Sequence, residues 1–472
     1  MTGFIPERLD FRVEDSATRS ALDTLCSSVL AAGGSARLVG GCVRDAMLGL
    51  PATDLDIEIY GIEASALIEL LSSHFGVDLV GESFGVIRLR DLPIDVSLPR
   101  RESKRGLGHR GFKIVSDPQM DPREAASRRD FTINAIALDP VNGSIFDPFG
   151  GIADLKSRIL RHTTEKFSED PLRVLRGMQF AARFEFQLAP ETIELCRQIE
   201  PEGLAPERIL GEWNKLILKG TRPSLGLAFL RDCGWIRHFP ELEALIGCEQ
   251  NPRWHPEGDV WIHTLHCMDV FASERIGLER EDLIVGFGVL CHDLGKPATT
   301  IREEDGRITA KNHDVVGVEL TRQFLGRLTG EEKLIEEVVS LVACHLAPIQ
   351  LFASKVNDSA IRRLANKVGR IDRLVRVSSA DMRGRPPLVV DRFEAGDWLL
   401  ERARALSIDA QPPTALLMGR HLIELGLEPG PHLGRVLEEC FARQIEGEFD
   451  TLEAGLECAR TIIAEGAETP NK

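Results

Sequence analysis

The chain is predicted to be α+β: a mixed sheet with helices over residues 1–162, followed by segments that are almost wholly α-helical. Three observations carry this. Up to about residue 150, short runs of alternating apolar and polar residues (Leu55–Tyr60, Val86–Arg90, Ile94–Leu98) are interleaved with helical spacing. From Glu169 onward the apolar residues keep to helical spacing. Turn-rich stretches at Asn251-Pro252-Arg253-Trp254-His255-Pro256 and Gly384-Arg385-Pro386-Pro387 interrupt that helical region.

In chain order, a helix is predicted over residues 16–32, an apolar step at Ala36–Val39, the pair Gly40-Gly41, another helix, and a strand at Leu55–Tyr60. Val86–Arg90 and Ile94–Leu98 flank Asp91-Leu92-Pro93 as two paired strands would. Leu172, Val174, Leu175, Met178 and Phe180 begin one helix, and Leu225–Leu230 lie in another. The expected division is a head over 1–162, a helical neck over 163–250, a histidine-bearing segment over 251–385 and a helical tail over 386–472. There is no repeat of fixed period.

With 472 residues, 43% of them hydrophobic, the chain can bury several cores. The amino terminus turns acidic at once and lacks the pattern of a secretory signal. No stretch approaches the roughly 18 apolar residues of a membrane span, so no membrane association is expected. Ten cysteines are scattered singly from Cys26 to Cys458 without a CxxC pair, which fits a reducing compartment. A cytoplasmic location is expected. The formal charge of −16 argues against broad, non-specific nucleic-acid binding. A local basic surface remains available in Arg100, Arg101, Lys104, Arg105, His109, Arg110 and Lys113, with Arg128 and Arg129 beyond.

Leu38-Val39-Gly40-Gly41-Cys42-Val43-Arg44-Asp45 reads as a strand entering a glycine pair and then a helix. Backbone N–H groups at that helix start, Gly41 among them, can face an anion, and Arg44 can add a charge. Alone, such a glycine pair is more often just a turn. Asp54-Leu55-Asp56 puts two carboxylates at i and i+2, on one face of a strand, where they repel unless a cation lies between them. Asp95, in Ile94-Asp95-Val96 on the neighbouring strand, is a third candidate. A lone DxD is more often an acidic pair on a solvated face; the ordered combination is far more specific.

That combination resembles the active-site signature of the polymerase-β-like nucleotidyltransferases, and in particular the bacterial tRNA CCA-adding enzyme and poly(A) polymerase family. Further motifs follow in order: Arg128-Arg129-Asp130-Phe131-Thr132-Ile133-Asn134-Ala135, Asp147-Pro148-Phe149-Gly150-Gly151 with Asp154-Leu155, and Glu169-Asp170-Pro171-Leu172-Arg173. The resemblance spans residues 36 to about 385. It implies a polymerase-β-like head and two metal ions at Asp54 and Asp56 for nucleotidyl transfer. Magnesium is the natural ion for an all-oxygen site. The implied partners are tRNA, CTP and ATP.

Asp170 and Arg173 sit at i and i+3, which on a helix places them on one face. Cytosine and adenine each offer an amino donor beside a ring-nitrogen acceptor, and an ionised Asp only accepts while an Arg only donates. The resemblance implies that this pair selects the base, with Arg176 and Arg129 contacting the nucleotide; the plain alternative is a surface ion pair. The family's third arginine is replaced by Gln179, and Gly177 is expected to interrupt the helix. Residues 100–126, with Gly106, Gly108 and Gly111, resemble the family's flexible loop, and their length argues against an enzyme adding only C. Whether the basic loop touches RNA or is merely solvated stays open.

Farther on, His292-Asp293 closes an apolar helix, preceded by His263 and followed by His313, His345 and Asp381. Any one of these histidines is more often structural than ligating. The ordered set resembles the HD phosphohydrolases, which implies a divalent-metal site at His263, His292, Asp293 and Asp381, with His313 and His345 for a second ion. Phosphatase and 2′,3′-cyclic phosphodiesterase activity is implied. His255 and His266 are expected to be structural. The rival functions are addition of A alone, poly(A) synthesis, or an HD phosphohydrolase with a non-catalytic RNA-binding head. Monomer and dimer remain equally open.

Overall fold

The structure, a computed structural model, describes residues 9, 11–80, 85–104 and 112–467. It contains two compact units, Met1–His238 and Phe239–Lys472. In the first, helix α1 (Ser16–Ala31) begins where the Asp15 carboxylate accepts the Thr18 N–H at 2.7 Å. A seven-stranded mixed sheet follows, built from β1 (Ser35–Val39), β2 (Leu55–Tyr60), β3 (Val77–Val80), β4 (Val86–Leu89) and β5 (Ile94–Ser97). Strands β6 (Arg100–Lys104) and β7 (Phe112–Ser116) pair separately, and β8 (Ala137–Leu138) and β9 (Ile145–Phe146) complete the main sheet in the order β3-β4-β5-β2-β1-β8-β9.

Strand β2 is central because it alternates cleanly: Leu55, Ile57 and Ile59 are buried on one face, and Asp56 and Glu58 stand on the other. It runs antiparallel to β1 and parallel to β5, in a register that sets Asp56 opposite Asp95. The predicted hairpin forms, with β4 antiparallel to β5. Of the basic loop, Arg105, Gly106, Gly108, His109, Arg110 and Gly111 lie outside the described residues.

Helices α2 (Gly41–Met47), α3 (Ala64–Ser72), α4 (Pro122–Ala126) and α5 (Gly151–Ser157) belong to the head. The Asp147 carboxylate accepts the Gly151 and Ile152 N–H groups at 2.8 and 2.9 Å and so starts α5. Beyond it, α6 (Leu172–Phe184), α7 (Pro190–Arg197), α8 (Pro206–Lys219) and α9 (Pro223–Asp232) form a helical layer in which α6 packs on α8 and α9. The expected interruption at Gly177 is corrected: α6 runs unbroken through it, because Phe131 and Phe229 close on that position and favour the residue without a side chain.

The second unit is helical, apart from one short hairpin at 300–302 and 308–310. Its helices are α10 (Pro240–Glu243), α11 (Val260–Ser273), α12 (Glu279–Cys291), α13 (Lys296–Thr299), α14 (His313–Gly326), α15 (Glu332–Val342), α16 (Ala347–Ala353), α17 (Asp358–Val368), α18 (Ile371–Arg383) and α19 (Glu394–Ala405). Three more, α20 (Gly419–Glu424), α21 (Pro431–Glu446) and α22 (Leu452–Ala467), enclose a small core of Leu417, Leu422, Cys440, Phe449, Ala459 and Ile462. One stretch bears on the expectation about membranes. Residues 332–353 are long and apolar enough in composition to cross one. They fold as α15 and α16 with His345 between them, and half of that stretch is buried inside the protein.

Candidate active site of the head and metal centre of the helical unit

A cleft of ≈ 780 Å³ in the first unit gathers most of the residues singled out in the sequence: Gly41, Arg44, Asp54, Asp56, Arg129, Asp170, Arg173 and Arg176 all line it. Its floor is the polar face of β2. Asp56 stands between Asp54 and Glu58, and burial beside the like charges of Asp95 and Asp54 raises its pKa against the opposing pull of Arg129. Asp95 is in register with Asp56, but its carboxylate is held by both Arg88 nitrogens at 2.9 Å. Gly40 turns the chain at φ +76°, and a Cβ there would lie 2.9 Å from Arg129 Nη1. Only glycine lets that guanidinium settle beside the carboxylates.

A largely buried polar chain also lines the cleft. Arg176 Nε donates to Asp130 Oδ2 at 2.6 Å, and Asn134 Nδ2 and the Phe131 N–H donate to Asp130 Oδ1 at 2.8 Å. Arg44 Nη1 donates to Asn134 Oδ1 at 2.7 Å, and its Nε and Nη2 donate to Asp45 Oδ1 at 2.8 and 2.7 Å. Arg44 is only 3% exposed and stacks on Phe180 and Phe184. Its charge is thus committed to bracing the wall of the cleft.

The expected placing of Asp170 and Arg173 on one helix face is corrected. Asp170 has extended backbone and precedes α6, where its Oδ1 accepts the Leu172 N–H at 3.1 Å. The proline that follows favours just such a conformation. Its other oxygen is bound by Arg208 Nη2 of α8 at 2.9 Å. Arg173 reaches the opposite way, donating to the Lys166 and Arg128 carbonyls at 2.7 Å each. The two side chains are thus held by different partners, although the Arg173 N–H donates to the Asp170 carbonyl at 3.0 Å.

Sequence reasoning missed Glu58, Asn134 and Arg208, and gave Asp130 no role of its own. Glu58 was available as the next member of the same alternation. Arg208 lies 38 residues beyond Asp170, with no local pattern joining them. Gln179, in place of the third arginine, is 2% exposed, and its Oε1 has no hydrogen-bond partner among the described residues.

In the second unit, His263, His292, Asp293, His313, His345 and Asp381 converge in the interior, none more than 7% exposed. His263 Nε2 lies 3.1 Å from Asp381 Oδ1 and 3.4 Å from His292 Nε2. His313 Nε2 lies 3.1 Å from His345 Nε2 and 3.4 Å from Asp293 Oδ1. His263, His292 and Asp381 form one compact group, with the Cys267 sulfur beside it, and Asp293, His313 and His345 form a second. Lys296 and Arg385 hold Asp293 and Asp381, whose pKa values fall well below the usual carboxylate range because these cations and the histidines outweigh burial.

Three of the four rings share one device. Nδ1 of His292, His313 and His345 donates to the carbonyl three residues upstream, Val289, Ala310 and Val342, at 2.7, 2.8 and 2.7 Å. Nδ1 therefore carries the proton and Nε2 keeps its lone pair for a metal. Gly295 lets the turn after Asp293 touch α14: a Cβ there would lie 2.0 Å from the His313 carbonyl. Such an imidazole-rich, buried set is a site for a divalent metal ion. His255, expected to be structural, lies 4.7 Å from His263 ring to ring and forms a further group with Glu257 and His263.

The two sites define a class, a nucleotidyl-transfer head combined with an HD unit. Residues 36–161 match the Poly A polymerase head domain, 185–246 match the probable RNA and SrmB-binding site of polymerase A, and 260–377 match the HD domain. The multifunctional CCA protein of Xylella fastidiosa (strain M23) is 37% identical over 394 residues, which cover 79% of this chain and 90% of that protein. That of Tolumonas auensis is 39% identical over 367 residues, covering 74% and 84%. The chain belongs to the multifunctional CCA protein family. Its fold is also that of the Bacillus stearothermophilus CCA-adding enzyme crystallised with CTP, at 22% identity and a TM-score of 0.65, covering 96% of this chain and all of that one.

Proposed function

We propose that the chain completes the 3′ end of tRNA by adding C and A from CTP and ATP without a template, and that its HD unit is a metal-dependent phosphohydrolase. One observation carries the first part: the Asp54 and Asp56 carboxylates and the groups Asp170 and Arg173 line the same cleft. Magnesium held by Asp54 and Asp56, the ion and ligands we favour, would supply charge neutralisation to the triphosphate and activation of the RNA hydroxyl. Arg129 and Arg176 contribute positive charge toward the phosphates. Asp170 accepts from the amino group of C or A, and Arg173 donates to the neighbouring ring nitrogen. Arg208 holds Asp170 in place for this. Four segments share the work in this reading: head 1–162, neck 163–250, HD unit 251–385 and tail 386–472.

In the HD unit, His263, His292 and Asp381 would hold one ion and His313 and His345 a second, with Asp293 in reach of both, and their chemistry would be to activate water for attack on phosphorus. Phosphomonoesters and 2′,3′-cyclic phosphates at RNA ends are the proposed substrates. Ten free thiols, most of them buried, support a reducing, cytoplasmic setting.

The test uses tRNA transcripts ending before the first C, after CC and after CCA, with magnesium and each nucleotide in turn. Completion of the shortest transcript is the expected result. A single A added only to the CC-ended transcript would make it an A-adding enzyme, and no incorporation would refute the reading of the head. Asp54→Ala or Asp56→Ala should abolish incorporation and leave phosphatase activity.

A further inference from the structure

The metal centre described above leaves one of its four rings without the shared backbone device. His263 sits in the first turn of α11, and the Val260 carbonyl three residues before it is taken by the Thr264 hydroxyl at 2.8 Å. Its Nδ1 faces Glu257 Oε1 at 2.8 Å and the Gly384 carbonyl at 3.2 Å. The same Glu257 oxygen lies 2.9 Å from His255 Nδ1. The Glu257 side chain is wholly buried, and its second oxygen, Oε2, has no hydrogen-bond partner among the described residues. A carboxylate removed from water with one oxygen unpaired lowers stability.

We infer that Glu257 is a positioning residue of the metal centre, acting through His263, with His255 holding its carboxylate from the far side. The inference rests on the reading of the second unit as a metal-dependent phosphohydrolase. Two acceptors at Nδ1 hold a proton there, so Nε2, which faces His292 and Asp381, is the nitrogen presented to an ion. The negative charge behind the ring makes that lone pair a stronger donor, as outer carboxylates do for metal-bound histidines. His263 thereby differs from His292, His313 and His345, whose rings are held by neutral carbonyls. Glu257 touches neither of the two ligand groups except through His263 and orders the ring on which the first of them is centred.

The experiment measures Mn2+ binding by calorimetry in the full chain carrying Asp54→Ala and Asp56→Ala, so that only the second unit titrates. Glu257→Gln should weaken the ion about tenfold or more while leaving the number of bound ions unchanged. His255→Gln, which keeps the carboxylate, should weaken it by a smaller factor and supplies the answer if Glu257→Gln fails to fold. Unchanged affinity in both variants, with only a lower melting temperature, would overturn the inference. So would loss of a whole ion in Glu257→Gln, which would make Glu257 a ligand of a site shared with His255. His292→Ala separates the two claims: if it leaves Mn2+ binding intact, the reading of the unit fails; if it removes binding while Glu257→Gln does not weaken it, the positioning role alone fails.

Discussion

Replacing Asp130 by Asn keeps the shape of the side chain and removes its charge at the centre of the chain joining Arg176 to Arg44. Asp130 is 6% exposed and accepts at 2.6 Å from Arg176 and at 2.8 Å from both Asn134 and the Phe131 N–H. An asparagine can keep the two bonds at Oδ1, but its amide N–H₂ then faces the Arg176 donor. One charge-assisted hydrogen bond to a buried carboxylate is worth about 1.5–3 kcal/mol. Arg176 is partly exposed and can turn toward water, so about 2 kcal/mol is the working figure. For a unit of this size, which spans Met1–His238, that lowers the melting temperature by about 4–8 °C. Burial pushes the Asp130 pKa up, but Arg176, Asn134 and the Phe131 N–H outweigh it and hold it below the ordinary value. A depressed carboxylate stabilises the fold above its unfolded pKa of about 3.9 and loses that contribution as pH falls through the folded value. The gap between wild type and Asp130→Asn should therefore be full at neutral pH and close only on acidification below about pH 4. Differential scanning fluorimetry from pH 3 to 8, with single-turnover incorporation at pH 7.5, measures both effects. Equal melting curves with unchanged incorporation would refute the argument that Asp130 organises this wall.

Arg208→Ala frees the Asp170 carboxylate and should relax the preference for C and A over U and G by about tenfold, given the strength of a charged hydrogen bond, in single-nucleotide incorporation assays. Gly40→Ala forces a Cβ into a left-handed turn and against Arg129, so incorporation should fall while the phosphohydrolase rate holds. Gln179→Met removes a buried amide oxygen that lacks a partner and should raise the melting temperature by about 2–4 °C, since leaving such a group unpaired costs about 1 kcal/mol or more. A lower value would show that the amide is satisfied. His345→Ala should reduce the bound divalent metal per chain, read by elemental analysis after dialysis.

Much of the head is legible because β2 obeys a period of two: Leu55, Ile57 and Ile59 announce a buried face, so Asp54 and Asp56 must share the other. The hairpin follows from the same rule. The helical unit is legible through spacing alone only as far as its helices; that His263, His292, His313, His345 and Asp381 meet depends on how α11, α12, α14, α15 and α18 pack. The i,i+3 spacing of Asp170 and Arg173 suits a helix, but Pro171 pushes the residue before it into extended backbone. Arg208 reaches Asp170 across two intervening helices, α6 and α7, and Glu257 acts within a turn-rich segment. No periodicity marks such a residue; only the position of its partner does.

The carbonyl bonds to Nδ1 of His292, His313 and His345 have a thermodynamic consequence. Those rings are oriented by helix and turn backbone before any ion arrives, so little side-chain freedom is left for binding to remove. The surrounding fold rests on its own apolar interior, including Trp261, Phe287, Phe324, Leu341 and Leu374, each almost wholly buried. Chelation should accordingly empty the site without melting the unit, unlike small metal domains whose folding free energy comes from the ion itself. Exchange of one divalent ion for another then becomes a reversible event on an intact scaffold, with occupancy set by supply and ligand preference.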